Sequence, residues 1–300
     1  MRISWRTFQG NDGRKVEAQV FAPNSDVTPT DCILFCPGFP GAGATLFEQR
    51  HAATIVHEGY TLVVLRHAGT KLDGPAAPSM INNAHRLMMA RRNGEKIIGG
   101  VPATMDTWLM EPYVALHSLA EEYGHIHVIG NSFGAVAALW SLTEDKVPSA
   151  QVRSLLLMAG AQGVADMTPQ TIMRIWLPQY IEMARVTDKV VLEPSIQVAA
   201  TLKYAYEQLP ARVKAKLFED IYLSYLVVKN DEILSGFDTD RFKEAIGGRG
   251  DVFLDTIDHA HPAHGFMAHD MPDYPTEYIL DILQGRAIQD GLEPVSPSKS

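Results

Sequence analysis

The sequence predicts an α/β protein: a mostly parallel central sheet with helices on both faces and an inserted helical cap. Short β-branched or apolar runs alternate along the chain with longer helical patterns, which is typical of parallel strands joined by helices. One run, from Cys32 to Cys36, is near-continuously apolar, as expected of a strand that is buried on both faces. A glycine-flanked serine, Ser132, stands between a predicted strand and a predicted helix.

Strands and helices can be placed in chain order from these patterns. Residues 16–21 alternate between polar and apolar side chains and predict an edge strand, with residues 3–8 as a possible partner. The buried strand 32–36, a helix over 45–58 and a strand over 62–65 follow. The remaining predicted strands are 125–129, 154–158, 222–228 and 252–257, and the remaining predicted helices are 135–142, 169–185, 195–209, 211–219 and 277–283.

The chain divides into a core and an insertion. Between the strands that end near Met158 and begin near Tyr222, the helical patterns exceed what one crossover needs. Residues 162–220 are therefore predicted to form a helical cap over the carboxyl ends of the strands, and residues 1–161 and 221–290 to form the core. Residues 291–300 are rich in Pro and Ser and are expected to be a disordered tail.

Composition limits the classes of protein that fit. With 300 residues, 46% of them hydrophobic, the chain can bury a substantial core. Its formal net charge of −9 and its lack of basic runs argue against a nucleic-acid or anionic-membrane partner. No signal peptide or bilayer-spanning apolar stretch is visible, so a soluble cytoplasmic protein is expected. Cys32 and Cys36 alternate on one strand and are expected to be buried, unbridged thiols.

The most informative motif is Gly130-Asn131-Ser132-Phe133-Gly134, a G-x-S-x-G turn. It follows the predicted strand 125–129 and precedes the predicted helix 135–142. In that position the turn forces its serine into a strained backbone conformation, so that the hydroxyl stands at the end of the sheet. The flanking glycines are needed because a Cβ at either position would collide with a neighbouring element. Ser132 is the predicted nucleophile.

A serine nucleophile needs a base and an acid that orients the base. The acid candidate is Asp231, which lies just past the carboxyl end of the strand 222–228, where a carboxylate can reach a ring from the neighbouring loop. A turn-forming role for the Asn230-Asp231 pair is the structural alternative. Glu232 and Asp166 are the weaker acid candidates.

The base is expected in the segment from Asp258 to Phe266, after the last predicted strand of the core. This segment holds His259, His261 and His264, any of which could be the base. His261 is favoured because it lies a short turn beyond the strand, whereas His259 is close to the strand end. His264 is the main competitor.

The same histidines could instead bind a metal, together with Asp255 and Asp258. Their H-x-H-x-x-H spacing matches no helix-borne metal motif, and hydrogen-bonded loop histidines explain the cluster as well. The sequence therefore predicts no metal site and no cofactor.

An oxyanion hole requires two backbone N–H groups that point to the developing negative charge. Phe133, the residue after the nucleophile, is one predicted donor. The loop that follows the strand 32–36 supplies the other, and Phe39 is its candidate. This loop is rich in Gly and Pro and follows a central strand ahead of the serine in the chain.

With these motifs in view, the chain resembles an α/β-hydrolase from about Val16 to Leu283. The loop Pro37-Gly38-Phe39-Pro40-Gly41 is similar to the family's His-Gly-Phe-Pro oxyanion loop, with Pro37 where His is usual. Arg66-His67-Ala68-Gly69 is similar to the family's Arg-Gly-x-Gly loop, with His67 in place of Gly, and Asp231-Glu232-Ile233-Leu234 resembles its Asp-x-Val-Val run. The resemblance implies a triad of Ser132, Asp231 and His261 and a cap over 162–220.

The function expected from these residues is hydrolysis of an ester, thioester or related acyl bond through an acyl-enzyme. An acyltransferase with the same triad and a non-catalytic small-molecule receptor on the same fold are the alternatives, because fold alone does not fix the chemistry. The apolar pattern of the insertion, which includes Trp176, Tyr180 and Met183, suggests a small-molecule substrate with an apolar portion. Exposed helices of the insertion could also support a homodimer.

Overall fold

The computed structural model describes residues 1–24, 29–38, 42–69, 92–94, 101–160, 172–187, 189–191, 193–216, 220–228, 231, 250–255, 269, 274–286 and 292–294. Its strands are β1 (Arg2–Gln9), β2 (Lys15–Ala22), β3 (Asp31–Cys36), β4 (Thr61–Arg66), β5 (His125–Asn131), β6 (Val152–Met158), β7 (Tyr222–Val228), β8 (Gly250–Asp255) and β9 (Leu292–Pro294). Its α-helices are α1 (Ala42–His57), α2 (Met105–Ala120), α3 (Phe133–Leu142), α4 (Leu177–Val186), α5 (Ser195–Lys216) and α6 (Thr276–Leu283). A 3₁₀ turn at Ser149–Gln151 and a π-helical turn at Ile172–Trp176 complete the set.

The described strands form one sheet in the order β1-β2-β4-β3-β5-β6-β7-β8-β9. The six strands β4, β3, β5, β6, β7 and β8 run parallel to one another. The pairs β1–β2, β2–β4 and β8–β9 are antiparallel. The predicted partnership of the first two strands is confirmed, with Ile3 opposite Phe21 and Phe8 opposite Val16, but the edge strand is β1, because β2 also pairs with β4 on its other side. The predicted fold class, a mostly parallel sheet, is likewise confirmed.

Helices cover both faces of this sheet, as predicted. Helices α2, α3 and α5 share one buried core with the strands, whose members include Leu34, Val63, Trp108, Leu116, Leu139, Leu155, Leu202 and Leu209. Helices α1 and α6 share a second buried core with the strands, on the other face of the sheet. Its members include Ile33, Phe35, Phe47, Ile55, Leu62, Val64, Ile279 and Leu283. Burying each large apolar side chain stabilises the fold by about 1.5–3 kcal/mol, so both layers hold the sheet in place. Within the described part of the chain, none of the helices is long and apolar enough to cross a membrane.

Helix α5 differs from its prediction because it continues through Pro210, where two separate helices were expected. A proline inside a helix removes one backbone hydrogen bond and crowds the preceding turn. Leu209 and Val213 lie on either side of it and are buried in the core that α3 shares. Their packing holds the helix together across the proline. The side chain of Arg212 also donates hydrogen bonds to Thr143 and Glu144, beyond the end of α3.

Helix α5 therefore packs beside α3 as part of the layer that covers the sheet. The π-helical turn and α4 lie in the same core through Trp176, Leu177 and Tyr180, which are all buried. The cap predicted over 162–220 stays a prediction, and residues 161–171 lie outside the described part of the chain.

Strand β9 falls within the segment 291–300, for which a disordered tail was expected. Leu292 pairs with Asp255 and Pro294 with Phe253, so this short strand covers the free edge of β8. An uncovered sheet edge exposes unpaired backbone groups, and a short strand that carries a proline both pairs the edge and limits further pairing.

Candidate active site

Ser132 occupies the turn between β5 and α3 and has a strained backbone. Its φ is 52° and its ψ is −118°, a conformation that residues other than glycine rarely adopt. Its N–H donates to the Met158 carbonyl at 3.1 Å, and its own carbonyl accepts from the N–H of Ala135 at 3.0 Å. The predicted strand–turn–helix context of the serine is confirmed, and Ser132 is 7% exposed.

The glycines on either side of Ser132 are required by close backbone contacts. A Cβ atom at Gly134 would overlap the carbonyl oxygen of Cys36 at the end of β3. A Cβ atom at Gly130 would lie 2.6 Å from the Cα of Ala135 in the first turn of α3. Each added Cβ atom would lie far inside van der Waals contact with the backbone. The turn can therefore pack against β3 and α3 only with glycine at both positions.

The loop after β3 begins directly against the serine. A Cβ atom at Gly38 would lie 2.8 Å from the Cβ of Ser132 and 3.3 Å from its Oγ. The backbone at Gly38 can approach the hydroxyl this closely because glycine has no side chain. Phe133, one of the predicted oxyanion donors, opens α3 immediately after the serine. Phe39, the other predicted donor, lies outside the described residues.

Asp231 lies past the carboxyl end of β7, where the acid was expected. Its Oδ2 lies 2.9 Å from Nδ1 of His269, and its side chain is only 6% exposed. The alternative acids Glu232 and Asp166 are outside the described residues.

Among the described residues, His269 is the histidine that contacts Asp231, and the sequence did not predict it. Its side chain is 10% exposed, and its Nδ1 faces the Asp231 carboxylate. The predicted base His261 and its competitors His264 and His259 lie outside the described residues. The one signal that could have pointed to His269 is its place as the last histidine of the chain, between β8 and α6.

Ser132, Asp231 and His269 follow neighbouring strands of the sheet. Ser132 follows β5, Asp231 follows β7 and His269 comes after β8 in the chain, and β5, β6, β7 and β8 are adjacent and parallel. The carboxyl ends of parallel strands meet at one edge, which is where open α/β sheets bind ligands. Ser132 therefore lies at the same end of the sheet as the Asp231–His269 pair.

An aromatic wall adjoins the serine turn. The ring of Phe133 contacts Trp176 of the π-helical turn with ring centroids 5.2 Å apart, and it meets His67 at 5.8 Å. Trp176 and Tyr180, two of the residues expected in the cap, are buried. The Tyr180 hydroxyl donates to the Val191 carbonyl. The π-helical turn thus contacts the residue next to Ser132.

The described residues contain no group of three His, Cys, Asp or Glu side chains that could hold a metal ion. The histidine cluster from His259 to His264, which raised the metal alternative, lies outside them. Cys32 and Cys36 are buried free thiols, as expected, and burial raises the pKa of both.

No protein-family model and no curated protein matches this chain. Solved structures do resemble it. Est1E from Butyrivibrio proteoclasticus superposes with a TM-score of 0.53 at 12% identity, covering 93% of this chain and 99% of that one. A hyperthermophilic esterase from the archaeon Pyrobaculum calidifontis gives 0.52 at 15% identity, with 95% and 86% covered. An esterase from Pyrococcus furiosus gives 0.50 at 12% identity, with 94% and 89% covered. The likeness shows an α/β-hydrolase fold.

Proposed function

We propose that this protein is a serine esterase that hydrolyses a carboxylic ester through an acyl-enzyme formed on Ser132. The observation that carries the proposal is the strained turn of Ser132, which packs against the loop after β3. A strained serine at such a turn is the arrangement that presents a nucleophile to substrate. The contact between Asp231 and His269 and the fold shared with two solved esterases support it further.

His269 is the base in this proposal because it contacts the acid. Asp231 accepts the Nδ1–H, which leaves Nε2 unprotonated and able to take a proton from the Ser132 hydroxyl. The carboxylate also stabilises the imidazolium that forms. His261 and His264 are the alternative bases that the sequence predicted.

The reaction proceeds in two halves. As Oγ of Ser132 attacks the ester carbonyl carbon, His269 takes the hydroxyl proton, and the carbonyl oxygen becomes an oxyanion. The backbone N–H groups of Phe133 and Phe39 bind that oxyanion, helped by the positive N-terminal end of α3. The C–O bond to the alcohol then breaks, and the alcohol leaves with the proton from His269. Water, deprotonated by the same ring, attacks the acyl carbon, the bond from that carbon to Oγ of Ser132 breaks, and Oγ takes the proton back from His269 as the acid leaves.

The substrate class in this proposal is a small ester with an apolar portion. The aromatic pair Phe133 and Trp176 adjoins the serine turn and supports an apolar environment on that side. Apolar and aromatic lining with a few polar groups is typical of sites for small molecules. The mechanism uses only side chains and backbone groups of the protein and requires no cofactor.

The test is hydrolysis of p-nitrophenyl acetate, butyrate and octanoate by the native protein, Ser132→Ala and Ser149→Ala. Ser149 is exposed in the turn before β6 and serves as the matched control. We expect free carboxylic acid as the product and a kcat/KM that increases from acetate to butyrate. Ser132→Ala should lower kcat by at least about 10⁴-fold, since the nucleophile is lost. Equal turnover by the native protein and Ser132→Ala would contradict the proposal.

A further inference from the structure

A buried ionisable pair beside the serine turn has no role in the mechanism above. His67 and Glu111 are 2% and 1% exposed. His67 is the first residue after β4, and Glu111 lies on α2. The preceding residue, Arg66, pairs instead with Glu48 of α1 on the other face of the sheet. Burying two ionisable groups is costly unless each is hydrogen-bonded, so their partners identify what they do.

The imidazole of His67 joins α2 to the loop after β3. Its Nε2 lies 3.0 Å from the Gly38 carbonyl oxygen, and its Nδ1 lies 3.0 Å from Oε2 of Glu111. Oε1 of Glu111 accepts a hydrogen bond of 2.6 Å from the N–H of Ala68. The ring is also stacked on Trp108, with centroids 4.6 Å apart. Contacts at both nitrogens and on one face fix both the position and the rotation of the ring.

The partners determine where the protons lie. A carbonyl oxygen only accepts, so Nε2 carries a hydrogen and donates to Gly38. One further proton lies between Nδ1 and Oε2, either as an imidazolium donating to a carboxylate or as a protonated carboxyl donating to a neutral ring. The pair is neutral overall in both cases. Burial raises the pKa of Glu111, against the opposing effects of His67 and the Ala68 N–H.

The hydrogen bond to Gly38 acts on the group that adjoins the nucleophile. Gly38 lies so close to Ser132 that a Cβ atom added at Gly38 would be only 2.8 Å from the Cβ of the serine. The carbonyl of Gly38 belongs to the same peptide unit as the N–H of the next residue, the predicted oxyanion donor. Because a peptide unit is planar, holding the Gly38 oxygen restricts rotation of the unit that opens this loop.

We propose that His67 is a positioning residue which, held by Glu111, fixes the carbonyl of Gly38 and so positions the start of the predicted oxyanion loop beside Ser132. This inference rests on the proposed esterase function, because it assigns a role within that reaction. His67 touches no reacting atom and acts only through the loop. It should therefore affect the transition state, where the oxyanion is present, more than substrate binding.

Two substitutions separate the hydrogen bond to Gly38 from the bond to Glu111. The amide nitrogen of Gln can take the place of Nε2, so His67→Gln keeps a donor for the Gly38 carbonyl. His67→Asn can reach only Glu111. We expect His67→Asn to lower kcat about 100-fold while KM changes less than about threefold, since losing one oxyanion donor typically costs that much. His67→Gln should stay within about tenfold of the native kcat.

A transition-state analogue supplies the readout that a purely structural role would leave unchanged. An alkyl boronic acid forms a tetrahedral adduct with the serine, so its inhibition constant should increase in His67→Asn in proportion to the loss of kcat/KM. Active-site titration corrects for any fraction of protein that is unfolded. Unchanged boronate affinity in folded His67→Asn would overturn the proposal, and so would a folded His67→Gln that loses as much activity as His67→Asn. If His67→Asn does not fold, a folded His67→Gln whose kcat falls by more than about tenfold overturns the proposal.

Failure of the esterase proposal would be recognised separately. In that case the native protein itself would show no Ser132-dependent turnover and no boronate inhibition. A native protein that is active and inhibited, together with His67→Asn kinetics equal to those of the native protein, would overturn only the role of His67.

Discussion

Nδ1 of His269 lies 2.9 Å from Oδ2 of Asp231, although 38 residues separate the two in the chain. Asp231 follows β7, and His269 comes after β8, the neighbouring parallel strand. Both side chains are largely buried, which makes the hydrogen bond less exposed to competition from water. The contact fixes one ring nitrogen of His269, and in the proposed reaction the other nitrogen takes the proton of Ser132.

The first prediction concerns which histidine is the base. His269→Ala should lower kcat for p-nitrophenyl butyrate by roughly four orders of magnitude or more, because Ser132 would lose its proton acceptor. His261→Ala and His264→Ala, the two bases that the sequence favoured, are the matched controls and should retain kcat within about tenfold. The measurement is steady-state kinetics on the three variants. An inactive His261→Ala beside an active His269→Ala would instead support His261, the base that the sequence predicted.

The second prediction concerns the glycine at the end of the serine turn. Gly134→Ala should leave little folded protein, because the new Cβ would overlap the Cys36 carbonyl and force β3 and α3 apart. Gly124→Ala is the control, since a Cβ there would find its nearest neighbour, the Thr30 carbonyl oxygen, at 3.7 Å. Urea unfolding should give Gly124→Ala a stability within about 1 kcal/mol of the native protein. Equal stabilities of the two variants would contradict the close packing.

The third prediction concerns acid stability and His51. This histidine is 2% exposed on α1 and hydrogen-bonds to Thr276 at 2.9 Å, and burial lowers its pKa to about 3, with a smaller effect from Arg50. The folded protein therefore keeps the ring neutral, while the unfolded chain takes up a proton near pH 6.5. The resulting stability is present above pH 6.5 and is lost as the pH falls towards 3.

His51→Gln removes this titration and serves as the comparison. Over that pH range the native protein should lose up to about 1.4 kcal/mol of unfolding free energy per pH unit more than the variant, which corresponds to one proton. The measurement is urea unfolding at pH 7, 6, 5 and 4. His127, whose pKa is also lowered by burial, remains in both proteins and cancels in the comparison. Parallel pH dependences would contradict a neutral, buried His51.

Much of the fold could be predicted from the sequence because local patterns carry it. The strand 222–228 was predicted with the bounds that β7 has, since its apolar run is followed directly by Lys229-Asn230-Asp231. The turn of Ser132 could be predicted because a strand, two glycines and a small-residue helix lie together in the chain. Each of these signals is complete within a few residues.

The rest depends on contacts between distant residues. Nothing local distinguishes His269 from the histidines at 259–264, because its partner, Asp231, lies 38 residues away in the chain. The continuity of α5 at Pro210 depends on the core that buries Leu209 and Val213. Similarly, β9 forms by pairing with the edge of β8, and the composition of 291–300 does not reveal that contact.

The most direct test of Ser132 as the nucleophile is labelling by a fluorophosphonate probe, followed by identification of the modified peptide. It should be made on the native protein, Ser132→Ala and Ser149→Ala, each shown to be folded by circular dichroism. An activated serine attacks the phosphorus atom of the probe. We therefore expect label on the Ser132 peptide in the native protein and in Ser149→Ala, and no label in Ser132→Ala. A folded native protein that takes up no label, or a Ser132→Ala variant labelled as strongly as the native protein, would contradict Ser132 as the nucleophile.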